Sequence, residues 1–124
     1  MEAPKKILVV DDEKIITDIL TRRFSRIGFE VVCANDGDDA IRLLNQNPVD
    51  VVICDVKIPK PRTAEDVLKV SRINNPGSKF VVMSGSLSSD SSVQSIMQAG
   101  ASLFIKKPFN SLNAVTSEII KILN

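Results

Sequence analysis

Five short, nearly unbroken apolar runs, each followed by a longer amphipathic stretch, constrain this chain more than any other feature. A strand covered on one face alternates apolar with polar residues, whereas a parallel strand covered on both faces is apolar throughout. The first such run is Ile7-Leu8-Val9-Val10. A helix follows over Glu13–Ile27, with Ile16, Ile19, Leu20 and Phe24 at helical spacing and Gly28 closing it. The second strand is read at Glu30–Ala34. Asp36 then caps a short helix over Asp38–Asn45, whose buried stripe is Ala40, Ile41 and Leu44. The third strand, Val49–Cys54, ends at Asp55, and Pro59 and Pro61 make Val56–Arg62 a loop. A helix over Ala64–Ile73 stops at Asn75-Pro76-Gly77. Lys79–Met83 is the fourth strand, with a helix over Ser91–Ala99 ended by Gly100. Leu103–Lys106 is the fifth, with a last helix over Ser111–Leu123 that turns Leu112, Val115, Ile119 and Ile122 inward.

Five strand-helix units in 124 residues predict an α/β fold, an open doubly wound (βα)5 sheet of five parallel strands in a single domain spanning residues 1–124. A closed eightfold barrel needs about twice the chain. Histidine is absent, which excludes Ser-His-Asp and Cys-His catalysis, a phosphohistidine carrier and His-ligated metals. Sixteen basic against fifteen acidic side chains give no basic excess for a nucleic acid backbone. No Trp or Tyr is present for base stacking. No apolar run approaches a membrane span, and MEAPKK carries no signal-peptide hydrophobic region, so the expected location is the cytoplasm. Cys33 and Cys54 each sit in an apolar stretch and are expected as two reduced, buried core thiols.

Ligands of open parallel sheets bind beyond the carboxyl ends of the strands. Asp11, Asp12 and Glu13 stand after the first strand, Asp55 after the third, Ser84 after the fourth, and Lys106-Lys107-Pro108 at the end of the fifth. Crowded carboxylates repel one another unless a cation joins them. Magnesium suits one or two carboxylates together with a phosphate oxygen. Asp55 then has the character of a carboxylate nucleophile forming an aspartyl phosphate, with magnesium, Lys107 and the Ser84 hydroxyl placed to meet the phosphoryl oxygens.

On the runs ILVVDDE, VDVVICDVKIP, VVMSG and AGASLFIKKPF, the chain resembles the response-regulator receiver domain of two-component signalling over essentially its whole length. The resemblance implies the flavodoxin-like strand order 2-1-3-4-5, the order that doubly wound sheets of this type adopt. It implies Asp55 as phosphoacceptor, Ser84 as switching hydroxyl, Phe104 as the aromatic switch residue, and Lys107 as the phosphoryl-contacting lysine. Lys107 is chosen over Lys106 because it directly precedes proline. It further implies Mg2+ on Asp12, Asp55 and the Lys57 backbone carbonyl, with Asp11 acting through water, and a cis Lys107–Pro108 bond. Where the family continues with a Met-Pro and then a Met-Asp-Gly turn, this chain has Ile58-Pro59-Lys60-Pro61-Arg62-Thr63. If the first strand separates the second and third, Cys33 and Cys54 lie about 9–10 Å apart, beyond the ~7 Å a disulfide allows, and stay free thiols.

The function so implied is a phosphorylation-activated switch rather than an enzyme. A sensor histidine kinase or phosphotransfer protein donates to Asp55, and the face of helix 4, strand 5 and helix 5 signals to a downstream protein or to a second copy in a phosphorylation-dependent homodimer. No direct nucleic acid or membrane contact is expected. The alternative is a receiver-like docking module that acts without phosphorylation. A haloacid-dehalogenase-type phosphatase would need a second Asp two residues after its nucleophile, where this chain has Lys57. A flavodoxin-like cofactor site would want a Ser/Thr/Gly-rich loop where Asp11-Asp12-Glu13 repels phosphate. The resemblance also places Lys57 and Ser86 beside the path of a hydrolytic water, where they are expected to set how long the phosphoryl group survives. Seven serines between Ser84 and Ser95 leave the start of the fourth helix weakly held.

Overall fold

Successive side chains of a strand point to opposite faces, so a run that is apolar throughout feeds two cores at once. In a computed structural model that describes residues 5–124, the two sets separate cleanly. Leu8, Val10, Val52, Cys54, Phe80 and Val82 pack on one side, against Ala40 and Leu44, Val67 and Leu68, and Ile96. Ile7, Val9, Val51, Ile53, Val81, Met83 and Ile105 pack on the other, against Leu20, Phe24, Val115 and Ile119.

The elements follow in strict alternation: β1 (Lys6–Val10), α1 (Lys14–Arg26), β2 (Glu30–Ala34), α2 (Gly37–Gln46), β3 (Val51–Asp55), α3 (Ala64–Asn74), β4 (Lys79–Ser84), α4 (Ser91–Gln98), β5 (Leu103–Lys106) and α5 (Leu112–Leu123). All strand pairs are parallel and the order is β2-β1-β3-β4-β5. Helices α1 and α5 cover one face, and α2, α3 and α4 the other. This is the doubly wound sheet expected from the sequence. No helix among the described residues is long and apolar enough to cross a membrane. The start of MEAPKK, residues 1–4, lies outside the described residues.

Helix starts are where this sequence is most explicit. Asp36 accepts the Asp39 amide, Thr63 and Asp66 form a reciprocal capping box, and Asp90 and Ser111 accept the amides of Ser92 and Ala114. Helix α1 differs: Glu13 occupies its N-cap position, but its side chain makes no cap hydrogen bond. β3 begins at Val51, two residues later than expected. Val49 is still buried, and Asp50 uses its Oδ2 to accept the Lys6 amide at 2.7 Å.

One expectation fails. Cys54 is fully buried, but Cys33 is exposed, with its Sγ 3.1 Å from the Thr21 hydroxyl. The reason is sheet order: β2 is an edge strand, and Val32 and Cys33 of its apolar run face water. The same order puts β1 between the two cysteines, and both are free thiols. The Lys107–Pro108 bond is cis, as is Lys60–Pro61. The divergent segment after Asp55 is tied down by buried Ile58 and by an ion pair from Arg62 to Asp38 of α2 at 3.0 Å.

Two glycines end helices at positive φ, Gly28 at 99° and Gly100 at 121°. A methyl group at Gly28 meets open space, whereas at Gly100 it falls on the Arg72 guanidinium, which reaches across from α3 to the carbonyls of Ala99 and Gly100. Gly28→Ala should therefore cost about 1 kcal/mol, the backbone penalty alone, and Gly100→Ala about 2 kcal/mol or more. Thermal unfolding of the two variants checks this, the expected result being the larger drop in Tm for Gly100→Ala.

Candidate functional site

Parallel strands bring all their carboxyl ends to one edge of the sheet, and the order of this sheet makes β1 and β3 neighbours. Val10 pairs with Cys54, so the next residue on each strand, Asp11 and Asp55, emerges beside the other. Asp11 is completely buried, Asp55 is nearly so, and Asp12 is exposed. One oxygen from each of Asp11, Asp12 and Asp55 can come within 4.8 Å of the others. Three carboxylates that close repel strongly in a partly buried setting.

Lys107 relieves part of that repulsion. Its backbone N–H donates to the Ser84 carbonyl at 2.8 Å, which fixes the chain just past β5. Its ammonium donates to Asp55 Oδ2 at 2.8 Å, Glu13 Oε1 at 2.9 Å and Asp11 Oδ2 at 3.0 Å. Burial alone would push this ammonium's pKa down. The hydrogen bonds to Asp55, Glu13 and Asp11 outweigh burial and hold it above the ordinary lysine value. The Asp11 carboxyl is pushed up by burial, against the opposing pull of the Glu13 amide at 2.9 Å and of Lys107. Lys106, the other lysine of the pair, is exposed and donates to the Gly85 carbonyl at 2.9 Å.

The remaining expected residues surround this centre. Ser84 ends β4 next to β3, is buried, and accepts the Ser86 amide on its hydroxyl at 2.9 Å. Phe104 is half-buried on the opposite face of β5 from Ile105, packed against the core beneath α2, α3 and α4. Lys57 donates its amide to Asp55 Oδ1 at 3.1 Å while its side chain is exposed, and Ser86 is half-buried at the other flank. Asp11, Glu13, Asp55 and Lys107 are thus in one hydrogen-bonded cluster, with Asp12 exposed beside it, Ser84 on the adjoining strand and Phe104, Lys57 and Ser86 at its margins.

Sequence reasoning placed Glu13 at the strand end but saw no role for its side chain. The absent cap on α1 is a structural signal that no residue pattern carries. It also passed over a groove lined by Ile15, Ile16, Ile19, Pro108, Phe109 and Leu112, which opens beside Lys107 with Ile15 largely exposed. The donors of Asp11, Asp12 and Asp55 are all hard carboxylate oxygens in negative excess, a set that fits Mg2+. Among the described residues Asp12 makes no ion pair. Asp12→Asn should therefore raise Tm in the absence of divalent ions by about 2–4 °C, the equivalent of under 1 kcal/mol of relieved repulsion. The variant should also lose most of the further rise that Mg2+ produces in the parent, since a bound ligand stabilises only the state that holds it. Differential scanning fluorimetry across a Mg2+ titration measures both effects.

Comparison with known proteins agrees with this geometry. A family model described as the response regulator receiver domain matches residues 7–119. The probable transcriptional regulator ycf27 of Guillardia theta is 48% identical over 60 residues, covering 48% of this chain and 24% of that protein. Among solved structures, NtrX of Brucella abortus is 27% identical with a TM-score of 0.86, covering 97% of this chain and 27% of that one. The chemotaxis response regulator CheY4 of Vibrio cholerae is 25% identical with a TM-score of 0.85, covering 96% of this chain and 98% of that one. The chain spans about a quarter of the length of the first two and nearly all of the third. With its sheet order, its acidic edge and the matched 113 residues in agreement, the chain belongs to the response regulator receiver domain family.

Proposed function

We propose that Asp55 accepts a phosphoryl group from a sensor histidine kinase or a phosphotransfer protein, and that residues 1–124 act as one cytoplasmic receiver whose phosphorylation state is the signal. The observation that carries this reading is the Lys107 ammonium held between Asp55 and Asp11 at 2.8 and 3.0 Å. That arrangement sets the Asp55 carboxylate beside a cation that can meet a phosphoryl oxygen. A carboxylate oxygen of Asp55 forms the new O–P bond while the donor's bond to phosphorus breaks and the leaving group keeps the electron pair. Asp11, Asp12, Asp55 and the Lys57 carbonyl would hold Mg2+, which when bound offsets negative charge on the phosphoryl oxygens. Lys107 and the Ser84 hydroxyl donate to those oxygens. Drawing Ser84 inward vacates space that Phe104 fills, which repacks the α4, β5 and α5 face for a downstream protein or a second copy. The domain is thereby a phosphoacceptor rather than a catalyst acting on an outside substrate.

Treatment with acetyl phosphate and Mg2+ should add one phosphoryl group by intact mass. Asp55→Asn or chelation of the metal should abolish the addition. Labelling that survives either change removes Asp55 from this role, and a parent protein that takes no label favours a docking module working without phosphorylation.

Lys57 bears on how long the state lasts. A hydrolytic water must be held in line with the phosphorus, best by a group that accepts its hydrogen bond. Lysine has three donors and no acceptor, and Ser86 is short. The acyl phosphate should therefore be long-lived, suited to onward transfer or to holding a state. Lys57→Asn should speed its loss several-fold, with Ser86→Glu adding to the effect, when decay is followed by intact mass after donor removal. Equal or slower decay in Lys57→Asn would make Lys57 a bystander.

A further inference from the structure

An ammonium has three N–H donors, and those of Lys107 are matched by three carboxylates, Asp55, Glu13 and Asp11, at 2.8, 2.9 and 3.0 Å. In the resting state nothing is left over for a phosphoryl oxygen. When the O–P bond forms on Asp55, three phosphoryl oxygens enter the space in front of Lys107, and one of its present partners must yield. Asp11 is poorly suited to do so, because it is completely buried and its Oδ1 is held by the Glu13 amide at 2.9 Å. Asp55 is the acceptor itself.

Glu13 is built to let go. Its side chain is 56% exposed, and water can take over its solvation as it leaves. It is also free of the duty such a position usually carries. The residues that start α2, α3, α4 and α5 spend their side chains on helix amides, whereas Glu13 at the start of α1 spends its own on Lys107. Its backbone amide meanwhile fixes Asp11, so the backbone of Glu13 holds a neighbouring partner of the ammonium while its side chain accepts from the ammonium itself.

We infer that the Glu13 carboxylate is a positioning residue of the phosphorylation site, occupying the Lys107 donor that the incoming phosphoryl group needs and setting by its release how readily Asp55 is phosphorylated. The inference rests on Asp55 being the phosphoacceptor. In the transfer the Asp55 oxygen bonds to phosphorus, the donor's leaving group departs with the electron pair, and the Glu13–Lys107 hydrogen bond is exchanged for one from Lys107 to a phosphoryl oxygen. Glu13 forms and breaks no covalent bond.

The test compares the parent with Glu13→Ala, Glu13→Gln and Glu13→Asp, each treated with limiting acetyl phosphate at saturating Mg2+ and followed by intact mass. Thermal unfolding of each variant confirms that this exposed position is tolerated. Glu13→Ala should be labelled about two- to fivefold faster, the range set by a half-exposed ion pair, with Glu13→Gln between it and the parent. Glu13→Asp separates contact from charge, because it keeps the negative charge but is one methylene too short to reach Lys107. It should behave like Glu13→Ala. A labelled parent with Glu13→Ala no faster, or with Glu13→Asp matching the parent, would overturn the role of Glu13 alone. A parent that takes no label at Asp55 would overturn the phosphoacceptor reading and this inference with it.

Discussion

Everything at the carboxyl edge of this sheet depends on one ammonium among carboxylates. Two neighbouring parallel strands that each end in aspartate place like charges side by side, and unit charges ~4 Å apart near a protein surface repel by about 4 kcal/mol. Lys107 makes the arrangement tenable by donating to Asp55, Asp11 and Glu13 together. Its own position comes from the hydrogen bond its backbone N–H donates to the Ser84 carbonyl and from the short strand β5 before it. The site is still acidic overall, and that residual charge is what gives a divalent cation a reason to bind.

Holding those side chains in place falls to the two cores on either side of the sheet. β1, β3 and β4 are buried almost residue for residue, so their ends are fixed by packing rather than by the site's own contacts. Four of the helices beneath the edge are started by local side-chain caps. Only α1 begins without one, at the point where the chain turns from Asp11 and Asp12 into the helix.

Much of this was legible along the chain. The β5 boundaries, the Asp36 cap, the glycine stops at Gly28 and Gly100, and the cis bond before Pro108 all follow from short-range rules or from family resemblance. The acids were legible too, because strand ends in a parallel sheet share an edge whatever the order. Cys33 was misread for an equally plain reason. Its run looks as apolar as the others, and nothing in five residues says that β2 is an edge strand with water on its far side. Which of Val51, Val52, Ile53 and Cys54 faces which core was likewise invisible, since every position in the run is apolar.

The five strand-helix units, the Asp36 cap, the glycine and proline stops and the chemistry standing at each strand end are written in the chain itself. Those depend on backbone preferences and side-chain types acting over a few residues. Tertiary packing alone makes Glu13 the third partner of Lys107 and turns Cys33 to solvent. Lys107 meets Glu13 across 94 residues of chain and Asp55 across 52. Contacts at such separations depend on strand order and on which face each helix covers, which the packing of the whole domain sets and no local pattern encodes.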